Sequence, residues 1–261
     1  MISALDRIQE QSARLVKMAR GIQVLGILTW PIDVVDAFVD GWHRGQRELP
    51  VVSPPTADLS TEIDGLEALL EEFDLGHPLG RYLAATAASY LDAARLVTAA
   101  GTRGFLELSR NLYGDPTSRM PGTDASYLDA AQTLLDTTGP LAESIGPDAA
   151  DYCLTAEYVR AELQQRMNAF FTQHQVEVVI DESLASKAAA SATRIRIRGR
   201  TCFSHEDLAQ LLEHEAFVHS ATALNGRAQP IVGALGLGAP RTTSTQEGLA
   251  TLAEVLTGAI D

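Results

Sequence analysis

The sequence predicts an α+β fold that is mostly α. A helical N-terminal half is expected over residues 1–150, and a small β-sheet with one long polar-studded helix over 151–261. Three observations carry this. Apolar residues recur at helical spacing through most of the first 170 positions. The first β-like runs come later, VEVVI at 176–180 and the strictly alternating TRIRIR at 193–198. Ser204, followed three residues on by Asp207, then opens a new helical pattern.

The elements follow in order. Ile8, Ala13, Leu15, Met18 and Ala19 fall near helical spacing, with charged residues between them. The apolar stretch 22–39 is interrupted by Gly26, Pro31, Asp33 and Asp36, so it lacks the roughly 18 clean apolar residues of a bilayer span. Residues 51–56, with Pro54 and Pro55, read as an extended linker. A helix over 59–73 turns Leu66, Leu69 and Leu70 inward, and DLGHPLG (74–80) ends it. The Ala-rich pattern 82–99 predicts a buried helix. NLYGDP (111–116) reads as a loop that continues to 123. Helices are expected over 124–137 and 149–173, then the two strands. The helix after Ser204 should run from about 206 past His219. The Gly- and Pro-rich 233–245 reads as a loop holding Arg241, and a last helix runs from about Thr245 to the end.

Composition narrows the function classes. Twenty Lys plus Arg against 34 Asp plus Glu leave a net charge of −14 on 261 residues. That argues against nucleic-acid and anionic-membrane partners, which call for a basic patch. Cys153 and Cys202 are too few for a disulfide framework and lack the CxxC spacing of a zinc site. No basic n-region precedes an apolar run at the start, so a cytoplasmic location is expected.

The chemistry concentrates in LLEHEAFVHS (211–220). His214, Glu215 and His219 form HExxxH, one residue longer than the HExxH of zinc proteases. Five residues of ideal α-helix rotate about 140°, which splays the two imidazoles. A π-bulge returns them to one face. The spacing is thus either an accident of a helix surface or a one-residue expansion that serves a site. Leu211, Leu212, Phe217 and Val218 make the helix apolar, so the polar groups need partners or a metal. A third ligand is available from Glu247 or Glu254, seven residues apart and able to share one helix face. The residues alone leave both open.

HEAFVH, then LNGRAQP, then TQEGLA resemble the bacterial family of flavohaemoglobin expression-modulating QEGLA motif proteins. That family is similar in turn to the microtubule-associated tyrosine carboxypeptidases of animals. The resemblance is specific over 211–254. It implies a gluzincin-like zinc peptidase in which His214, His219 and Glu247 hold Zn²⁺ and Glu215 is the catalytic base. Asn225, Gln229 and Pro230 match the family's middle motif and are expected to shape the loop beside the metal. Family members continue further past the second motif, so 151–261 is expected to be a C-terminally shortened catalytic region.

The mechanism this implies is hydrolysis at the C-terminus of a peptide or protein. Zinc acidifies water toward a pKa of ~7 and polarises a carbonyl. Glu215 takes the water's proton and returns it to the leaving amine. Glu254 is expected to hold a ligand histidine's second N–H. A guanidinium suits the substrate carboxylate, and Arg241, just before the Glu247 helix, is preferred to Arg227 and to Arg194, Arg196 and Arg198, which read as a solvated strand face. His43, His77, His174 and His205 read as surface, loop or helix-start residues. Two rivals stand beside this reading: a non-catalytic regulatory or binding protein that keeps a structural metal site, and an amidase using the same metal chemistry on a small molecule. A catalytic zinc keeps an open position, whereas a structural one is closed.

Overall fold

The computed structural model describes residues 3–144, 153–173 and 175–259, without the side chains of 141–144. The expected helix start at 149–152, Met1, Ile2, His174 and residues 260–261 therefore lie outside the described residues. Helices α1 (Ala4–Ala19), α4 (Ser60–Glu72) and α5 (Pro78–Thr98) pack together in the first half. Ser3 and Asp6 close a reciprocal capping box on α1. His77 Nδ1 accepts the Leu79 N–H at 3.1 Å, and Pro78 sits in the first turn of α5. The segment read as a terminator thus ends α4 and also starts α5, because proline's fixed φ suits a first turn.

The first core is the apolar stripe of these three helices: Ile8, Leu15, Leu66, Leu69, Leu83 and Ala94 among others. Each buried Leu contributes about 1.5–3 kcal/mol of hydrophobic stabilisation. Ala87, Ala93 and Ala94 are fully buried, and their small side chains let the neighbouring helices approach α5.

The stretch 22–39 forms two helices, α2 (Val24–Leu28) and α3 (Ile32–His43), divided at Pro31, the N-cap of α3. Ala4–His43 includes a window of mean hydropathy 1.6, apolar enough for a membrane span, but here it is divided among α1, α2 and α3. Leu25, Trp30, Val39 and Trp42 of this region are exposed. Two further helices are α6 (Arg103–Tyr113) and α7 (Tyr127–Ser144), the latter capped by Ser126 and Asp129 and longer than its periodicity predicts.

In the second half, α8 (Ala156–Phe170) packs on a three-stranded sheet of β1 (Glu177–Asp181), β2 (Ala188–Ala190) and β3 (Arg194–Arg198). The order is β1-β3-β2. β1 pairs parallel with β3 in the register Val178↔Ile195, and β2 pairs antiparallel in the register Ala189↔Arg196. The alternation of β3 comes out as the sequence predicts. Ile195 and Ile197 are fully buried, while Arg194 and Arg196 face outward toward Glu177 at 3.6 Å and Asp181 at 3.2 Å.

Helix α9 (His205–Leu211) runs without a break into a π-helical segment (Leu212–Ser220) and on into α10 (Ala221–Arg227). A 3₁₀ turn (Gly233–Gly236) leads to α11 (Pro240–Thr257), closed by Gly258 at φ +70°. The second core joins α8, the sheet and the π-bearing helix through Val159, Leu163, Ile195, Ile197, Phe203 and Ala216. Val232, Ala234 and Ala239 return to the first core, so 231–239 straps the two halves together.

Two sequence expectations need correction. Cys153 and Cys202 are joined in a disulfide beside a two-residue bridge, in which Leu154 and Phe203 exchange both backbone hydrogen bonds. The 49-residue separation gave no local spacing signal for that pairing. Arg241 is not in a loop. Arg241 lies in the first turn of α11, which starts at Pro240 rather than Thr245, and Arg227 is the last residue of α10. The glycines before Pro240 read as continuous loop, but proline at the first helical position starts the helix early.

Candidate metal centre and active site

The π-helical segment does what HExxxH requires. His214 and His219 fall on one face, with ring centroids 4.7 Å apart in an edge-on arrangement. Wide turns such as this recur at functional sites. Buried Leu212, Ala216, Val218 and Ser220 anchor the segment. Ser220 Oγ–H also donates to Ser191 O at 2.9 Å, tying the segment to the end of β2.

Glu247 comes from α11, packed directly across the π segment. Its Oε2 lies 3.3 Å from His214 Nε2, and its Oε1 lies 3.5 Å from His219 Nε2. One ligand atom from each of His214, His219 and Glu247 falls within 4.8 Å of the other two. The imidazoles are about one-fifth exposed and Glu247 about half, so the cluster opens to solvent on the Glu247 side.

Glu254 lies two turns deeper on the same face of α11 and is buried. Its Oε1 is 2.6 Å from His214 Nδ1, and its Oε2 accepts from Gln210 Nε2–H at 3.1 Å. The Glu254 contact takes up Nδ1 and leaves Nε2 of the ring turned toward the Glu247 carboxylate. The separations from Glu247 exceed the 2.7–2.9 Å of a charge-assisted hydrogen bond. The three ligand atoms are close enough together to hold one cation. Two imidazole nitrogens and a carboxylate oxygen are a donor set suited to Zn²⁺.

Glu215 is turned toward the sheet. Burial pushes its carboxyl above the usual range. His214 and His219 oppose this, as does the backbone amide of Ala190, while Glu247 adds to it. The Ala190 amide is available because of strand register. Ser191 N–H donates to Arg194 O and Lys187 O accepts from Arg198 N–H, so 187, 189 and 191 face β3, whereas Ala188 and Ala190 present their amides to the outer edge of β2. Among the described residues that edge has no strand partner. The central strand β3 is paired on both sides, so it has no free edge of its own.

The remaining sequence candidates sit further out. Asn225 is exposed on α10, and its C=O accepts from Gln229 Nε2–H at 3.0 Å. Pro230 O accepts from Gln9 Nε2–H at 3.0 Å. Their hydrogen bonds shape the turn after α10 and reach none of the three cluster residues. Arg241 donates Nη1–H to Thr86 Oγ1 at 3.1 Å and lies 5.2 Å over the Tyr82 ring. It makes no ion pair with the described residues. Its backbone N–H donates to Ser89 Oγ at 2.9 Å, fixing the start of α11 on α5. A groove of about 860 Å³ along α3 and residues 45–50 is lined by none of the site residues. Gln210, Ser220 and the Ala190 edge were not singled out from sequence. Only Gln210, one turn before His214, carried a signal.

A carboxylate-backed histidine pair on a widened helix, with an acidic residue at an open strand edge, defines a hydrolase-type site. The chain belongs to the microtubule-associated tyrosine carboxypeptidase family, whose sequence model matches residues 38–261. The match takes in every residue of the cluster, and the family is by its description one of carboxypeptidases. Comparison with curated proteins and with solved structures gives no match.

Proposed function

We propose that this protein is a zinc-dependent metallocarboxypeptidase that removes residues from peptide or protein C-termini. The observation carrying the reading is the convergence of His214 Nε2, His219 Nε2 and a Glu247 oxygen on one solvent-facing point, with Glu215 alongside. His214, His219 and Glu247 would hold the ion. Zn²⁺, when bound, acidifies water and polarises the scissile carbonyl.

Glu215 accepts the water's proton and delivers it to the leaving amine. Its raised affinity for protons, caused by burial, makes it a stronger base toward the water's proton. Glu254 holds the His214 ring and its tautomer. The edge of β2 offers the Ala188 N–H and the Ala190 C=O to an extended substrate, which docks as an added strand, while the Ala190 N–H stays on Glu215. Arg241, free of a carboxylate partner among the described residues, is the guanidinium proposed for the substrate's terminal carboxylate.

The rival of a closed structural metal pin is disfavoured by the half-exposed Glu247. Metal content tests the reading. About one zinc per chain is expected in the wild type and loss of it in both His219→Ala and Glu247→Ala, with release of C-terminal residues from a peptide library by the wild type alone. Wild type purified without chelator and free of zinc overturns the metal reading. Zinc present with no release on any peptide favours the structural pin.

A further inference from the structure

Gln210 is absent from the site the sequence predicts, yet it is in contact with that site's deepest group. It stands on the last turn of α9, four residues before His214 and therefore on the same helix face. Buried Glu254 has one oxygen on each of them: Oε2 on Gln210 Nε2 at 3.1 Å and Oε1 on His214 Nδ1 at 2.6 Å. Rotation of the Glu254 carboxylate would break both contacts together. A second donor on Oε2 thus fixes the plane in which Oε1 meets the imidazole. Without it a buried carboxylate oxygen is left unpaired, an uncompensated desolvation that drives the side chain to re-orient.

We infer that Gln210 is a positioning residue. It locks the Glu254 carboxylate, which locks His214 as the Nδ1–H tautomer and aims a bare Nε2 at the point shared with His219 and Glu247. Its role in metal affinity rests on the proposed zinc site, but its effect on the imidazole exists in the metal-free protein. The two are therefore separable by experiment.

The test uses the full chain with wild type, Gln210→Met, and the exchange Gln210→Glu with Glu254→Gln. Met keeps the length of the side chain and removes the donor. The exchange keeps both hydrogen bonds, since the amide at 254 accepts from His214 and donates to the carboxylate at 210. Zn²⁺ affinity is read by competition with a chromogenic chelator, and the His214 tautomer by ¹⁵N shifts of the metal-free protein. Gln210→Met should weaken Zn²⁺ binding at least about ten-fold and mix the two tautomers. The exchange should return the affinity to within a few-fold and restore the single tautomer.

Unchanged affinity and a single tautomer in folded Gln210→Met overturn the inference. So does an exchange variant as impaired as Gln210→Met, because charge at 254 rather than orientation would then be what matters. Should Gln210→Met fail to fold, the exchange variant alone decides on the same two readouts. Wild type that binds no Zn²⁺ while Gln210→Met mixes the tautomers removes the zinc reading and leaves Gln210 as the residue that orients His214.

Discussion

Glu215 is the residue at which burial acts on the proton that the proposed mechanism moves. Burial raises its pKa above that of an ordinary carboxyl, so the folded chain binds a proton there more tightly than the unfolded chain does. Stability attributable to this group is therefore fully present at low pH and is lost as pH rises from the unfolded value near 4.5 through the raised folded value. Glu215→Gln removes that loss. In the metal-free protein its urea midpoint should exceed the wild type's at neutral pH, and the gap should close toward pH 4. The opposite trend would mean that the two histidines outweigh burial. In the metal-loaded protein the same substitution should keep zinc and cut turnover by about 10²–10⁴-fold, the range of a lost general base. Contrast Glu72, whose carboxyl Arg14 holds below its ordinary value. Its contribution is present at neutral pH and lost on acidification.

At the scale of elements, the π-helical segment carries the site, and the turn after it holds α10 against the strap. Gly226 makes this contact possible. A Cβ there would come 2.2 Å from Gly236 N and 2.3 Å from Leu235 C, both backbone atoms that cannot swing away. Gly226→Ala should therefore separate α10 from the 3₁₀ turn and lower stability by roughly 1–3 kcal/mol, as overpacking does. An equilibrium urea titration reads this, and an unchanged midpoint would mean that the turn yields freely. The disulfide makes a second element-scale case. It joins the start of α8 to the residue before Phe203 and closes 49 residues. Chain entropy then predicts that Cys153→Ser costs about 4 kcal/mol. A dithiothreitol-treated wild type should fall by the same amount, and equal stability with and without reductant would show that the Leu154–Phe203 bridge suffices.

Elements with strong periodicity were legible in the sequence. The helices around Leu15, Leu66 and Leu83 and the Ile–Arg strand came out as read, and HExxxH specified its own π turn. What was not legible had weak local signals. β2 is three alanines, which favour no strand and form one only because β3 offers an edge. Helices α3 and α11 begin around Pro31 and Pro240, and a proline marks a helix start and a loop alike. The residues 149–152 of the expected long helix lie outside what is described. HExxxH was legible in its spacing, whereas Glu247 was preferred to Glu254 only through the family resemblance, because two carboxylates seven residues apart share one helix face. The Ala190 edge belongs to tertiary register, which no spacing in the chain encodes, and Gln210, one turn before His214, is drawn into the site by its hydrogen bond to Glu254 from another helix.

For the molecule as a whole, the residues that form the cluster all lie after 200, but their geometry depends on the first hundred. The strap from Ile231 to Ala239 is packed in the core of α1, α4 and α5. Ser12 Oγ accepts the Ala234 N–H at 3.1 Å, and Ser89 Oγ accepts the Arg241 N–H at 2.9 Å. These two contacts, each spanning over 150 residues of sequence, set where α11 begins. The position of α11 in turn sets where Glu247 meets the histidines. A fragment of residues 151–261 would keep the second core and the disulfide but expose Val232, Ala234 and Ala239. It would leave α11 hinged on the π segment alone. The expected result is a fragment that retains helical circular dichroism yet binds Zn²⁺ at least tenfold more weakly than the full chain, because one of three ligands is no longer held. Adding the 1–150 fragment in trans should restore part of that affinity, since the strap then regains its core. Full affinity in the isolated fragment would mean that the π segment and Glu254 place α11 by themselves, and that the helical half serves the substrate rather than the metal.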